Sequence, residues 1–126
     1  MQQKKQKNIE VTLLEDWIMH IHLKSNSEIT LNDAVFALEE MGKLTKGKKL
    51  PVFIDAGEFC DIDREARIFS ASEESNIYTL ADAIPYDNLG QKLIANFYLK
   101  QNNPSVPTKV FSEKKEAIKW LKTFLK

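Results

Sequence analysis

The chain has 126 residues, enough for one domain with a single core, since 43% of its residues are hydrophobic. Its 18 basic and 18 acidic side chains cancel, so no uniform field would draw it to nucleic acid or to an anionic membrane. The single cysteine, Cys60, excludes an internal disulfide, and the longest apolar runs fall well short of a membrane span. We therefore expect a cytoplasmic protein that binds no nucleic acid and does not insert stably into membranes.

The first two predicted strands form a hairpin. Residues 9–14 and 17–23 both alternate between apolar and polar side chains, and two acidic residues separate them. The lysine-rich residues 1–8 before the hairpin are predicted to be a flexible basic tail, so the single domain runs from 9 to 126.

A helix and a buried strand follow. Leu31, Val35, Leu38 and Met41 have helical spacing after Thr30, which predicts a helix over residues 30–44 that Gly42 and Gly47 bring to an end. Residues 50–55 form an apolar run that ends in Asp55, which is typical of a central strand covered on both faces.

The second half of the chain repeats this alternation. Asp63 is predicted to cap a helix through residue 75, residues 77–81 to form a strand, and Pro85 to open a helix carrying Leu89, Leu93 and Phe97. A strand over residues 106–111 then precedes a terminal helix, capped by Ser112, whose apolar stripe contains Ala117, Leu121 and Phe124.

The predicted element order is β-β-α-β-α-β-α-β-α. Strands that alternate with helices favour right-handed crossovers and a mainly parallel sheet. The fold class is therefore α/β, with a sheet of about five strands and an antiparallel N-terminal edge strand.

Several short stretches resemble the uncharacterised bacterial proteins of the STAS/SpoIIAA-like group. They comprise Arg64-Glu65-Ala66-Arg67, Asn96-Phe97-Tyr98-Leu99, Pro107-Thr108-Lys109-Val110-Phe111 and Glu116-Ala117-Ile118-Lys119-Trp120-Leu121. The resemblance covers the chain from about Ile9 to Leu125 and implies the SpoIIAA-like fold. It also implies a regulatory protein whose loop after a central strand carries a serine that a partner kinase phosphorylates.

The corresponding loop here, residues 55–63, contains neither serine nor threonine. We therefore expect a module without the serine phosphoswitch. Asp61 and Asp63 have two interpretations: a permanent imitation of the phosphorylated state, because a helix N-terminus favours negative charge, or a solvated loop acid and an ordinary helix cap.

The carboxyl ends of parallel strands are the default place for a ligand site. Asp55, Glu58, Asp82 and Ser112 are predicted to gather there. Asp55 together with Lys109 also fits a receiver-like phosphoacceptor, although Lys109 is at the wrong end of its strand and no acid pair ends an early strand.

Two other sets of residues have possible chemistry. His20 and His22 point to one face of their strand, as in a chelating pair, but the sequence shows no third ligand, and we predict no metal site and no cofactor. Cys60 lacks the histidine and glycine pattern of a catalytic cysteine, so we predict no enzyme activity.

Arg64 and Arg67 share one helical face and fit either an anion clamp or pairing with Asp61 and Asp63. The aromatic side chains Phe97, Tyr98, Trp120 and Phe124 fit either core packing or the lining of an apolar pocket.

These patterns predict a non-enzymatic regulatory or interaction module that engages a protein partner around residues 55–67. The candidate binding residues are Asp55, Glu58, Cys60, Asp61, Asp63, Arg64, Arg67 and Asp82. The alternatives are a small-molecule or lipid carrier and a receiver-like phosphoacceptor. A homodimer is also predicted, because an edge strand bearing Val11, Leu13 and Leu14 favours pairing with a second copy.

Overall fold

The structure is a computed structural model that describes residues 3–5 and 8–125, with side chains from residue 8 onward. The elements, in chain order, are β1 (Gln3–Lys5), β2 (Ile9–Leu13), β3 (Met19–Leu23), β4 (Glu28–Ile29), α1 (Leu31–Thr45), β5 (Leu50–Ala56), β6 (Asp61–Ile62), α2 (Arg64–Ala71), β7 (Thr79–Pro85), α3 (Leu89–Asn102), β8 (Thr108–Phe111) and α4 (Lys114–Lys122).

The main sheet has the strand order β1-β2-β3-β5-β7-β8. Strands β1, β2 and β3 pair antiparallel, whereas β3, β5, β7 and β8 are all parallel. This confirms the predicted α/β class. The short strands β4 and β6 form a separate parallel pair between the turn after β3 and the loop after β5.

The N-terminal edge differs in one respect from the prediction. Three residues of the predicted tail, Gln3–Lys5, pair with β2, while the rest of residues 1–7 lie outside the described residues. Because β1 pairs with the outer edge of β2, the strand that bears Val11 and Leu13 is internal to the sheet. The edge-pairing argument for a homodimer therefore does not hold for this strand.

Each face of the sheet has its own core. On one face, α1 and Ala66 of α2 pack against alternate residues of β2, β3 and β5, among them Val11, Met19 and Val52. On the other face, α4 buries Ala117 and Leu121 against Phe53 of β5 and Ala83 of β7. Alternate side chains of β5 therefore pack into the cores on opposite faces of the sheet.

Helix α1 begins with a capping box in which Thr30 and Asp33 exchange hydrogen bonds. It passes through Gly42 and ends at Lys46, which adopts the left-handed conformation. The sequence predicts that Gly42 helps to end the helix. Instead the missing side chain makes room for the ring of Tyr78, because a Cβ there would lie 2.8 Å from a ring carbon.

Helix α2 begins as predicted, with the Asp63 carboxylate accepting a 2.8 Å hydrogen bond from the Ala66 amide. It ends at Ala71 and not near residue 75. The reason is local: Asn76 Nδ2 donates to the carbonyls of Ser70 and Ser72, at 3.0 and 2.7 Å, which folds the chain into a turn. Strand β7 consequently starts at Thr79 and extends to Pro85.

The last two helices also begin later than the sequence predicts. Pro85 ends β7, and α3 begins at Leu89 after Asn88, whose side chain accepts from the Gln91 amide at 2.8 Å. The N-cap of α4 is Glu113 and not Ser112, without a side-chain cap bond. Phe124 lies beyond the end of α4 but still packs against the core that α4 covers.

The cap at Asp63 leads to a stability prediction. Asp63→Ala removes the acceptor for the Ala66 amide and should lower the free energy of unfolding by about 1 kcal/mol. Urea denaturation measures the change. Asp61→Ala is the matched control, because the exposed Asp61 carboxylate accepts from the adjacent Ile62 amide and caps no helix, and its expected effect is within about 0.5 kcal/mol. Equal losses in the two variants would contradict a specific cap.

Candidate functional site

Three side chains meet on the face of the sheet that α4 partly covers. His20 and His22 lie on β3, and the parallel register with β5 places His20 beside Phe53 and His22 beside Asp55. Residues of the same parity on paired strands share a face, so both imidazoles and the carboxylate project to the same side. We call His20, His22 and Asp55 the His–Asp cluster.

Both imidazoles bond to the same carboxylate oxygen. His20 Nε2 and His22 Nδ1 lie 2.8 and 3.0 Å from Asp55 Oδ1, and each ring donates its N–H to that oxygen. The side chains of the cluster are between 24% and 35% exposed, so they remain accessible from solvent. The ring of His20 also packs against Phe53, with centroids 5.4 Å apart.

Burial alone would raise the pKa of Asp55. The hydrogen bonds from His20 and His22, together with the charges of the two rings, outweigh that effect and lower the pKa below its ordinary value. The carboxylate is therefore ionised at neutral pH. An ionised oxygen held by two imidazoles is an arrangement suited to binding a cation or to orienting the rings.

The sequence predicts the shared face of His20 and His22, and the structure confirms it: Met19, Ile21 and Leu23 are buried on the opposite face. What the sequence does not reveal is the third member. Asp55 is 33 residues from His22, and only the pairing of β3 with β5 joins them. A signal was available: Asp55 ends the predicted strand that follows the histidine strand through a single helix, and such consecutive strands commonly pair in parallel.

A cleft of about 220 Å³ lies next to the cluster, at the carboxyl ends of the parallel strands. We call it the carboxyl-end cleft; it is lined by Phe53, Asp55, Ala56, Pro85, Tyr86, Asp87, Gln91, Ser112 and Lys114. Of the four residues predicted to gather there, Asp55 and Ser112 do so. Glu58 and Asp82 do not line this cleft.

Asp82 is misplaced by the prediction because β7 extends beyond residue 81. It lies inside the strand, 5% exposed, between Val52 and Thr108 of the neighbouring strands, and on the opposite face from Ala81 and Ala83. Burial raises its pKa to about 7. Asp82 is thus a buried acid beside Tyr98, whose pKa is raised by burial and by the charge of Asp82.

The loop after β5 contains the other predicted site residues. Glu58 is exposed, and its carbonyl accepts from the Asn26 amide at 2.9 Å. Cys60 is half-buried against the α1 core, and burial, with the charge of Asp61, raises the pKa of its thiol to about 11. A thiol with this pKa stays protonated at neutral pH, which disfavours it as a nucleophile.

Arg64 and Arg67 face a second cleft, of about 340 Å³, between α2 and α3. The guanidinium of Arg67 donates to the Ile62 carbonyl at 2.6 Å and lies 5.7 Å from the ring centroid of Phe97. Among the side chains of residues 8–125, neither arginine forms an ion pair. Of the two alternatives, pairing with Asp61 and Asp63 is therefore wrong, and the anion clamp stays a prediction.

Helix α3 exposes the apolar residues that the sequence places on it. Leu89, Leu93 and Phe97 are 69%, 60% and 52% exposed, and Ala95 is the buried residue of the helix. They recur every four residues and therefore lie along one stripe. Ile68 of α2 joins Phe97 in the second cleft. We call Arg64, Arg67, Ile68, Leu89, Leu93 and Phe97 the α2–α3 surface.

Lys109, the lysine of the receiver hypothesis, lies elsewhere. Its ammonium group is 5.4 Å from the ring centroid of Phe111. Lys114, at the start of α4, lines the carboxyl-end cleft instead and lies over the ring of Phe53. The sequence does not indicate this placement, because it depends on how α4 docks.

A family model described as a domain of unknown function, DUF7793, matches residues 12–125. The chain belongs to the DUF7793 family. None of the curated proteins gives a significant match. The matched range includes the whole His–Asp cluster and the α2–α3 surface of this chain.

One solved structure supports the fold of this DUF7793 protein. An uncharacterised protein of the DUF3478 family from Shewanella loihica PV-4, with a SpoIIAA-like fold, aligns with a TM-score of 0.60 and 17% identity over 94% of this chain and 98% of its own. The predicted SpoIIAA-like fold is thereby confirmed. A protein of unknown function from Arthrobacter sp. FB24 is 24% identical over 88% of this chain and 96% of its own, at a TM-score of 0.32.

The longest helix described in this chain, α1, has 15 residues. Within the described part of the chain, no helix is both long and apolar enough to cross a membrane.

Proposed function

We propose that this protein is a non-enzymatic, cytoplasmic interaction module that binds an acidic, amphipathic helix of another protein through the α2–α3 surface. The observation that carries the proposal is the exposed apolar stripe of α3, which ends beside two arginines that have no carboxylate partner among the side chains of residues 8–125. A surface that combines large apolar side chains with arginine is typical of protein interfaces.

The apolar part of the surface suits a helix. Leu89, Leu93 and Phe97 repeat at the spacing with which one helix presents a ridge to another. A partner helix with apolar residues three and four apart would cover this stripe, as in other helix-in-groove complexes. Burying these exposed side chains supplies the hydrophobic part of the binding energy.

The polar part of the surface suits an acidic partner. Arg67 Nε and Asn102 Oδ1 are buried in or beside the same cleft and have no hydrogen-bond partner among the described residues. A buried donor without an acceptor costs about 1–3 kcal/mol, so a carboxylate that reaches Arg67 relieves that cost. Arg64 lines the cleft next to it and can extend the contact.

The nearby loop supports recognition in place of a phosphoswitch. The loop over residues 55–63 has no hydroxyl side chain, and Asp63 is engaged as the cap of α2. Arg64 directly follows this cap. The partner would therefore meet the Asp63 carboxylate beside the cleft that Arg64 and Arg67 line, and Asp63→Ser tests how far this negative charge opposes an acidic partner.

A photo-crosslinking amino acid at position 97, introduced in the native host, tests the proposal. We expect a protein adduct whose crosslinked segment is an amphipathic helix rich in Asp and Glu. Arg64→Glu should reduce the adduct at least about fivefold, which corresponds to roughly 1 kcal/mol at an interface arginine. The matched control is the same crosslinker at Lys119, an exposed position on α4 at the opposite face of the sheet.

Other outcomes decide against this partner class. Identical adducts at positions 97 and 119, or an adduct insensitive to Arg64→Glu, would contradict the proposal. A crosslink to a second copy would make the surface a homodimer interface. Native mass spectrometry of protein from its own host separates the two alternatives: a retained small molecule favours a carrier, and an adduct of about 80 Da on Asp55 favours a phosphoacceptor.

A further inference from the structure

We propose that His20, His22 and Asp55 bind one divalent transition-metal ion, with Zn²⁺ as the first ion to test. The inference rests on the geometry and chemistry of the His–Asp cluster. It is independent of the proposed function, because the cluster lies on the α4 face of the sheet, whereas α2 packs on the other face.

The donor atoms are close enough to share one ion. His20 Nε2, His22 Nδ1 and an oxygen of Asp55 all lie within 4.8 Å of one another. Zn–N and Zn–O bonds of about 2.0–2.2 Å place the ligand atoms of a tetrahedral site about 3.3 Å apart. The observed separations of 2.8 and 3.0 Å need to widen by only a few tenths of an ångström.

The donor types select the class of metal. Two imidazole nitrogens and one carboxylate oxygen suit Zn²⁺ and its first-row neighbours, whereas Mg²⁺ and Ca²⁺ favour sets composed of oxygen. Three protein ligands leave at least one coordination position for water or an added small ligand. Asp55 also lines the carboxyl-end cleft, so such a ligand has a route to the ion from that side.

The surroundings leave the carboxylate available to a cation. Within residues 8–125, the ion pairs of Asp55 are those with His20 and His22; Lys114 lines the same cleft but forms no ion pair with Asp55. All three residues lie on adjacent strands inside the sheet, which hold ligands more rigidly than loops do. To bind the ion, each imidazole changes tautomer. The nitrogen that donates to Asp55 loses its proton and ligates the metal, and the other nitrogen of the same ring carries the proton.

The experiment uses the full chain without a histidine tag, treated with chelator and titrated with Co²⁺ and then Zn²⁺. We expect one equivalent of Co²⁺ per chain with visible d–d absorption, and displacement by Zn²⁺. His22→Ala and Asp55→Asn should each weaken metal binding about 100-fold or more. The reason is that loss of a residue that only hydrogen-bonds to a metal-ligating side chain already lowers metal affinity by about 10–100-fold. A saturating ion should also raise the thermal midpoint of unfolding.

Two control variants separate the cluster from adventitious donors. Cys60→Ser removes the thiol, and Asp87→Asn removes a carboxylate that lines the carboxyl-end cleft outside the cluster. Both should bind the metal as the wild type does. His20→Ala should weaken binding as His22→Ala does. Because His20 packs on Phe53, His20→Gln replaces it if circular dichroism shows that His20→Ala is unfolded.

Absence of stoichiometric binding by the wild type would overturn the proposal, and would leave His20, Asp55 and His22 as a hydrogen-bonded cluster. Wild-type affinity in His22→Ala, or loss of binding in Cys60→Ser, would overturn it equally. The crosslinking experiment at position 97 probes the other face, so failure of one proposal is distinguishable from failure of the other.

Discussion

Asp82→Asn should stabilise the protein by about 3–4 kcal/mol at pH 8 and change its stability by no more than about 1 kcal/mol at pH 4. The reason is the burial of Asp82, which is 5% exposed and has a pKa raised to about 7. In the unfolded chain the same carboxyl titrates near 3.9. Its ionised form therefore favours the unfolded state.

The sign follows from proton binding. Between about pH 4 and pH 7, the folded state keeps a proton on Asp82 that the unfolded state has released, so the free energy of unfolding falls as pH rises. The loss levels off above pH 7, where both states are ionised. The difference between a pKa of about 7 in the folded state and about 3.9 in the unfolded chain corresponds to roughly 4 kcal/mol. Asparagine has a similar shape, carries no charge and removes this dependence.

Guanidinium denaturation of wild type and Asp82→Asn at pH 4, 6 and 8 measures the effect. The curves should be close at pH 4 and should separate progressively toward pH 8. Asp87→Asn is the control: Asp87 is exposed at the end of the same strand, and its expected change is within about 0.5 kcal/mol at each pH. A constant difference between Asp82→Asn and wild type across this range would contradict a raised pKa.

Gly57→Ala should destabilise the fold by about 3 kcal/mol, the upper part of the range for overpacked sites. A Cβ at Gly57 would overlap Ser25 Oγ and would lie 2.7 Å from the Ser25 amide nitrogen and 2.8 Å from Ser25 Cα. The Ser25 side chain can rotate away, but its backbone cannot. The Gly57 amide donates to Leu23 at 2.8 Å, and the Asn26 amide donates to Glu58 at 2.9 Å, so both segments are held together.

The matched control is Gly90→Ala, in α3. A Cβ at Gly90 would approach only the Asn88 side chain, at 3.3 Å, and alanine favours the helix by about 0.5–1 kcal/mol. Gly90→Ala should therefore be neutral or stabilising in thermal and urea unfolding. Wild-type stability of Gly57→Ala would contradict the close approach of the Gly57 and Ser25 backbones.

The same variant also tests the metal proposal. Gly57 is two residues from Asp55, so a backbone shift at Gly57 should displace the Asp55 carboxylate and weaken Co²⁺ binding.

The strand and helix assignments were predictable wherever local patterns were strong. Alternation predicts β2 and β3, helical spacing after Thr30 predicts α1, and the capping role of Asp63 predicts the start of α2. The predictions fail where a single side chain redirects the chain. Asn76 holds the turn that delays β7, and this delay moves Asp82 from the end of the strand to its interior.

The candidate sites were less predictable than the fold. His20 and His22 share a face because strand geometry alternates every residue, and the sequence alone contains that fact. Their meeting with Asp55 depends on β3 pairing with β5, a contact between segments more than thirty residues apart. The exposure of Leu93 and Phe97 was likewise not visible, because periodicity shows which residues share a helix face but not whether a neighbour covers it.

The sequence by itself determined the α/β class, the order of most elements and the absence of a serine or threonine in the loop after β5, because these depend on local chemistry and short-range periodicity. The tertiary structure alone decided which acid joins the histidines, which acid is buried, and which apolar face of α3 stays exposed. These features depend on strand register and helix docking, which arise from burial summed over the whole chain and not from any single segment.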